Sequence, residues 1–416
     1  MSKLEKLLGH DKYMALKQRV KYIRDKKFLR NHDRIEIQNS EIEIEVLEQA
    51  GRHVFFGYYD IAQLNSSETM ALVQVIPEKA DTKEDRAELG WYNTESLKYT
   101  KFGETNAWSW QQGARLRWWP GTDEYVAYND VEDNKYVCKK VSILSGKVER
   151  VFCRALYDIA PTGEYGLSLN FSRLQRLRPG YGYSTLPDDS IEEDSSNQDG
   201  IFYVDLLKNN FRLIISLAEL AQNCGDKNAL QHYINHISIS PDGNKFMFFH
   251  IWTLKDSPRW KTRLCVANKD GSGLIVLETV DQVSHYDWID DRRLLITGYT
   301  PERKQIYSIY DIESGKKSVL DYPFLDRDGH PSVLRDKNIF VTDTYPKAYD
   351  MQALFECNIA KKTSRPLLQI YSTPLMYEEK RCDLHPRISE SERFITIDST
   401  FKDNLRKVVV IKNWKE

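Results

Sequence analysis

In the first thirty residues Leu4, Leu7, Leu8, Met14, Val20, Ile23 and Phe28 fall among lysines and arginines, at spacings closer to helical than alternating. This pattern predicts one or two amphipathic helices. From Arg34 the rhythm changes, and Ile35 and Ile37, then Ile42, Ile44 and Val46, alternate with polar residues at the period of a half-buried strand. Strand signals run on to Val408-Val409-Val410-Ile411, and beyond residue 50 only roughly 215 to 231, with Leu217, Leu220 and Leu230, reads as helix. The main body is all-β.

A recurring phrase organises that body. Histidines 236, 285, 330 and 385 each stand about five residues before a polar turn that leads into an apolar strand, at intervals of 49, 45 and 55 residues. That period matches a propeller blade of four short antiparallel strands. Weaker copies of the turn and strand begin at Asn65, Pro120 and Pro161, bringing the total to seven. The expected fold is a seven-bladed β-propeller with a short helical N-terminal extension. Residues 1–34 form the basic extension and 35–416 the propeller, with an insertion around 173–200. The strand near Val408–Ile411 is expected to share a blade with the one near Ile42–Val46 and so remove free edges.

Composition narrows the function classes. The 59 Lys and Arg nearly cancel 61 Asp and Glu, which argues against a nucleic-acid binder. Through Arg34, however, 11 basic residues face 4 acidic ones. That local surplus suits an anionic surface, membrane or protein, although charge runs commonly just face water. No apolar run approaches the roughly 18 residues of a spanning helix, and the N-terminus lacks a signal-peptide pattern. The six cysteines form no C-x-x-C pair and read as reduced thiols, so the expected address is the cytoplasm.

If the four phrases are equivalent, His236, His285, His330 and His385 occupy one position in four successive blades and converge on the central funnel. Four imidazoles in one cavity suit a transition metal or acid/base chemistry near neutrality. Asp287, Asp328, Asp343, Asp383, Arg381, Arg387 and Tyr345 lie near them in sequence, and the arginines favour an anionic substrate. The insertion adds Arg173, Arg176 and Arg178 with Tyr181 and Tyr183, either a sugar-gripping rim or a loop paired with its own acids. Tyr58 and Tyr59 form another aromatic cluster in the first blade.

These phrases, together with Phe55-Phe-Gly-Tyr-Tyr-Asp60, Asn170 to Tyr183, Ser284-His-Tyr-Asp-Trp288, Asp328-Gly-His-Pro-Ser332, Thr342-Asp-Thr-Tyr-Pro346 and Asp383-Leu-His-Pro-Arg387, resemble the oligogalacturonate lyase family over roughly residues 50 to 416. The resemblance implies cleavage of uronate-containing oligosaccharides by β-elimination, with manganese as the expected metal. It implies His330 and His385 as metal ligands with His285 a third, and His236 as base. Arg173 and Tyr58 join His236 in the catalytic set, and Arg178, Tyr183, Arg381 and Arg387 bind the anionic substrate. One departure stands out: the family's Gln-x-x-His-x-His pattern is met here by Asp383-Leu-His385. The rival reading is a non-catalytic glycan-binding or scaffolding propeller in surface-polysaccharide metabolism.

Overall fold

The computed structural model describes residues 3–255, 257–278, 283–300, 302, 304–322 and 325–415. In it the chain forms seven antiparallel sheets, six of four strands and one of five, arranged as the blades of a propeller. The inner strands are Arg52–Phe55, Arg117–Trp118, Asp158–Ile159, Ala229–Ile239, His285–Trp288, Ser332–Val333 and Arg387–Ile388. The second strands are buried on both faces because each blade stacks between two others. Ala71 to Ile76, interrupted only by the buried Gln74, and Phe246 to Phe249 therefore read as apolar runs, not as an alternation. Each fully buried Leu, Ile or Phe in these runs contributes roughly 1.5–3 kcal/mol.

Polar pins tie neighbouring blades together. Asp158 accepts the main-chain N–H of Ile239 at 2.7 Å and Asp287 that of Val333 at 2.6 Å, so one aspartate position repeats as an inter-blade clasp. Arg115 forms a buried fork with Asp60 at 2.9 and 3.0 Å and donates to the Tyr157 carbonyl.

The ring is closed by the N-terminal segment. Glu43–Leu47 pairs antiparallel with Lys407–Lys412, Ile44 opposite Ile411, and completes the seventh blade as its outer strand. Ile35–Ile37 does something else: it pairs with Thr363–Tyr371 as the fifth strand of the sixth blade. Ahead of these strands lie α1 (Lys3–Leu8) and α2 (His10–Phe28). Among the described residues no helix is long and apolar enough to cross a membrane.

Two local expectations change. The segment from 171 contains a helix, α3 (Phe171–Leu177), whose N-terminus is capped by Asn170 accepting the N–H of Arg173. The helix expected over 215 to 231 is shorter, α4 (Leu217–Gln222), because Leu230 belongs to the inner strand Ala229–Ile239 of the fourth blade. A chain beginning at Glu48 loses both outer strands. It is expected to melt about 5 °C lower or more and to aggregate through the exposed edge, whereas one beginning at Arg34 keeps its melting point; thermal melts with light scattering check both.

Candidate functional site

His236, His285, His330 and His385 each stand three residues before the end of the inner strand of blades four to seven, His330 and His385 lying just ahead of theirs. The rings of His285 and His330 are 4.0 Å apart between centroids, those of His330 and His385 4.4 Å, and those of His236 and His285 6.1 Å. All four imidazoles are buried. Into their midst the first blade sends Phe56–Asp60, which leaves the sheet after Arg52–Phe55. The excursion turns at Gly57 (φ 132°), where a Cβ would meet the Gln112 carbonyl oxygen at 3.0 Å. It places the Tyr58 ring 4.8 Å from His385 and 5.2 Å from His236.

Each ring is oriented by a specific partner. Asp343 accepts the His330 main-chain N–H at 2.7 Å and its Nδ1–H at 2.9 Å, and also the His385 main-chain N–H at 3.2 Å. His385 Nδ1–H donates to the Gly57 carbonyl at 2.9 Å. These bonds leave Nε2 of His330 and of His385 as lone-pair nitrogens, and neither has a hydrogen-bond partner. His285 Nδ1 lies 3.2 Å from Asp328, which also receives the Ser284 hydroxyl. His236 and His385 both sit at positive φ, 57° and 48°, a conformation held only by such surrounding contacts.

His330, Asp383 and His385 each present one ligand atom, all within 4.8 Å of one another. Two buried, unpartnered imidazole nitrogens and a carboxylate fit a divalent cation, and the Asp343 carboxylate behind His330 is the second-shell arrangement that raises ligand basicity. Burial opposes a charge on His330, but the Asp343 charge and hydrogen bond outweigh it and raise its pKa. Asp383, likewise buried, is held low by Arg381, whose Nε and Nη2 both donate to it, at 2.8 and 2.6 Å. His285, expected as third ligand, lies outside this triad; Asp383 takes its place. Asp383 stands where the family pattern carries its first histidine.

A cavity of about 910 Å³ is lined by His236, His285, Asp328, Tyr345, Arg178 and Arg381 among others; it meets the triad only through neighbours, His285 beside His330 and Arg381 bonded to Asp383. His236 Nε2 lies 3.3 Å from the Asn235 amide nitrogen and 3.4 Å from the Tyr58 hydroxyl, both able to donate to it. Burial, then the charges of His285 and Arg178, holds its pKa well below the ordinary histidine value. Burial likewise pushes the Tyr58 phenol well above 10, so it stays protonated. At the rim the Arg178 guanidinium packs over the exposed Trp260 ring at 4.1 Å and has no carboxylate partner among the described residues.

Three expected site residues lie elsewhere. Arg173 is a structural clamp: its guanidinium donates to the carbonyls of His232, Ser190, Glu193 and Asp194 and to the Ser190 hydroxyl, leaving nothing for a substrate. Tyr183 stacks on Phe171 at 4.4 Å and accepts from Asn129 in the core. Arg387 is buried and committed to Asp398, Thr396 and the Gly57 carbonyl, below the histidines. The sequence reading noted Asp383 two residues before His385, where it departs from the expected ligand pattern, but did not count it among the metal ligands.

No protein-family model and no curated protein matches the sequence. Among solved structures, the fold is similar to an oligogalacturonate lyase in complex with manganese, at TM-score 0.66 and 13% identity over 91% of this chain and 94% of that one. It is also similar to the oligogalacturonate lyase of Vibrio parahaemolyticus, at TM-score 0.63 and 12% identity over 91% and 96%. The seven-bladed architecture is thus shared with these enzymes.

Replacing Arg387 by alanine strands the buried Asp398 carboxylate and is expected to cost about 3–5 kcal/mol. Arg178→Ala is expected to change stability by less than about 1 kcal/mol. Denaturant titrations of the two variants check the contrast.

Proposed function

We propose that the protein is a metal-assisted lyase that cleaves uronate-containing oligosaccharides by β-elimination. The observation that carries this reading is the pair of unpartnered buried nitrogens, His330 Nε2 and His385 Nε2, grouped with Asp383, whose partner Arg381 lines the neighbouring cavity together with Arg178. A non-catalytic binding site has no evident use for such orphaned lone pairs, since leaving them unmade is costly.

His330, His385 and Asp383 would hold a divalent transition metal, manganese being the favoured identity. When bound, the ion supplies a Lewis acid that neutralises the uronate carboxylate and acidifies the adjacent C5–H. Arg178, free of carboxylate partners and braced on Trp260, binds the anionic sugar at the mouth, and Arg381 adds positive charge while fixing Asp383. His236, kept neutral by burial, takes the C5 proton. The C5–H electron pair becomes the C4=C5 bond, the C4–O bond breaks towards oxygen, and the departing oxygen receives a proton, for which the Tyr58 phenol stands hydrogen-bonded at the base. Free cysteines, four of the six buried, accord with a reducing cytoplasmic setting.

Incubation with oligogalacturonate is expected to generate the ultraviolet absorbance of an unsaturated uronate. His236→Ala is expected to lower that rate by about 10²–10⁴-fold with metal content intact. Saturable binding of a uronate panel without any absorbance change would favour the glycan-binding reading.

His330→Ala combined with His385→Ala is expected to abolish stoichiometric manganese uptake, read by titration calorimetry, in a protein that still melts cooperatively. Because the His236 pKa is depressed, the base is already unprotonated at ordinary histidine values. The acid limb of kcat/KM is therefore expected below pH 6.5; a midpoint at or above that value would remove His236 from the role.

A further inference from the structure

The long N-terminal helix is fastened to the propeller by its polar side. Gln18 and Asp25, seven residues apart on one face, are buried. Lys21 and Arg24 reach Asp350 at 3.1 and 2.9 Å, and Tyr22 accepts from Asn404 at 3.2 Å. The opposite face carries Leu16, Val20 and Ile23 at helical spacing, and these are 45%, 60% and 55% exposed; Leu7 of α1 is 79% exposed. Met14, Tyr22 and Phe28 are half-buried, Phe28 stacking on Tyr349, so the apolar residues are divided and only Leu16, Val20 and Ile23 face outward as a short stripe. The exposed Lys12, Arg19 and Lys27 border the same stripe and form no ion pair among the described residues.

We infer that α2 is an interfacial helix that seats the protein on an anionic lipid surface, its aliphatic stripe entering the headgroup boundary and its bordering cations meeting the lipid charge. Two copies pairing through this face would oppose like charges. Three exposed cations on flexible stems, two of them lysines, suit a fluid anionic surface. The placement has a consequence for the cavity. The helix is held by Tyr349 and Asp350, stacked and ion-paired with Phe28 and Arg24, and by Glu378, 3.5 Å from His10. These belong to the same two loops that supply Tyr345 and Arg381 to the cavity wall. Docking through α2 would therefore bear on the two loops that also line the cavity, whatever reaction the site performs.

Flotation of the full chain with phosphatidylcholine vesicles, with and without phosphatidylglycerol, tests the inference. Binding is expected only to the mixed vesicles and is expected to weaken with salt. Replacing Leu16, Val20 and Ile23 together by glutamine, or Lys12, Arg19 and Lys27 together by glutamate, is expected to reduce it about tenfold or more with the melting temperature and manganese uptake unchanged. Absence of binding at low salt, equal binding to neutral vesicles, or equal binding by either variant would overturn the proposal. So would a monomer–dimer equilibrium in sedimentation that the glutamine variant abolishes, because the occupant would then be a second copy.

Discussion

The pairing of Glu43–Leu47 with Lys407–Lys412 closes the ring, and closure is the constraint on which the axial site depends. Side chains from blades four to seven share one point only if the blades are held at fixed angles about a common axis. An open circle of sheets would splay, and the 4.0 and 4.4 Å ring separations among His285, His330 and His385 would not survive a small rotation of any one blade. The closing strand comes from the opposite end of the chain, so the last piece of the seventh blade is contributed by residues that precede the first.

Within that frame the electrostatics are graded from floor to mouth. The deepest imidazoles meet acceptors on their Nδ1 sides, Asp343 for His330 and the Gly57 carbonyl for His385, so tautomer and orientation are set before any ligand arrives. Burial keeps His236 and His385 neutral, and the positive charges of Arg178 and Arg381 are displaced to the cavity wall. The carboxylates of Asp328 and Asp383 stay ionised, so the attraction for an entering anion comes from Arg178 and Arg381 in the cavity wall.

The blade count, the closure and the convergence of the four histidines were legible because a repeated phrase marks the same inner-strand position in successive blades, and because ring closure follows from two strands at opposite ends of the chain. What could not be read was where arginines and tyrosines spend their hydrogen-bonding capacity. Arg173 is consumed by carbonyls of a loop that folds back over it, Arg387 by an aspartate eleven residues on, and Tyr183 by Asn129, 54 residues away. Such partners are fixed by topology, and spacing carries no trace of them. The shortened helix after Ser216 has a similar cause: Leu230 has the apolar character of a helix face but is claimed by strand pairing with Thr253.

Were a divalent cation held as proposed, Asp383 as the third donor would set the charge sum at the triad. Two neutral rings and one carboxylate around a divalent cation leave a net +1, where an all-neutral donor set leaves +2. Oxygen in place of nitrogen also shifts preference toward harder ions and away from copper or nickel. The salt link from Arg381 withdraws electron density from that oxygen and returns part of the missing positive field, so the two residues act as a single tuned donor. On the proposed reading, affinity for an incoming carboxylate would be set jointly by residues 381 and 383, two positions apart on one loop.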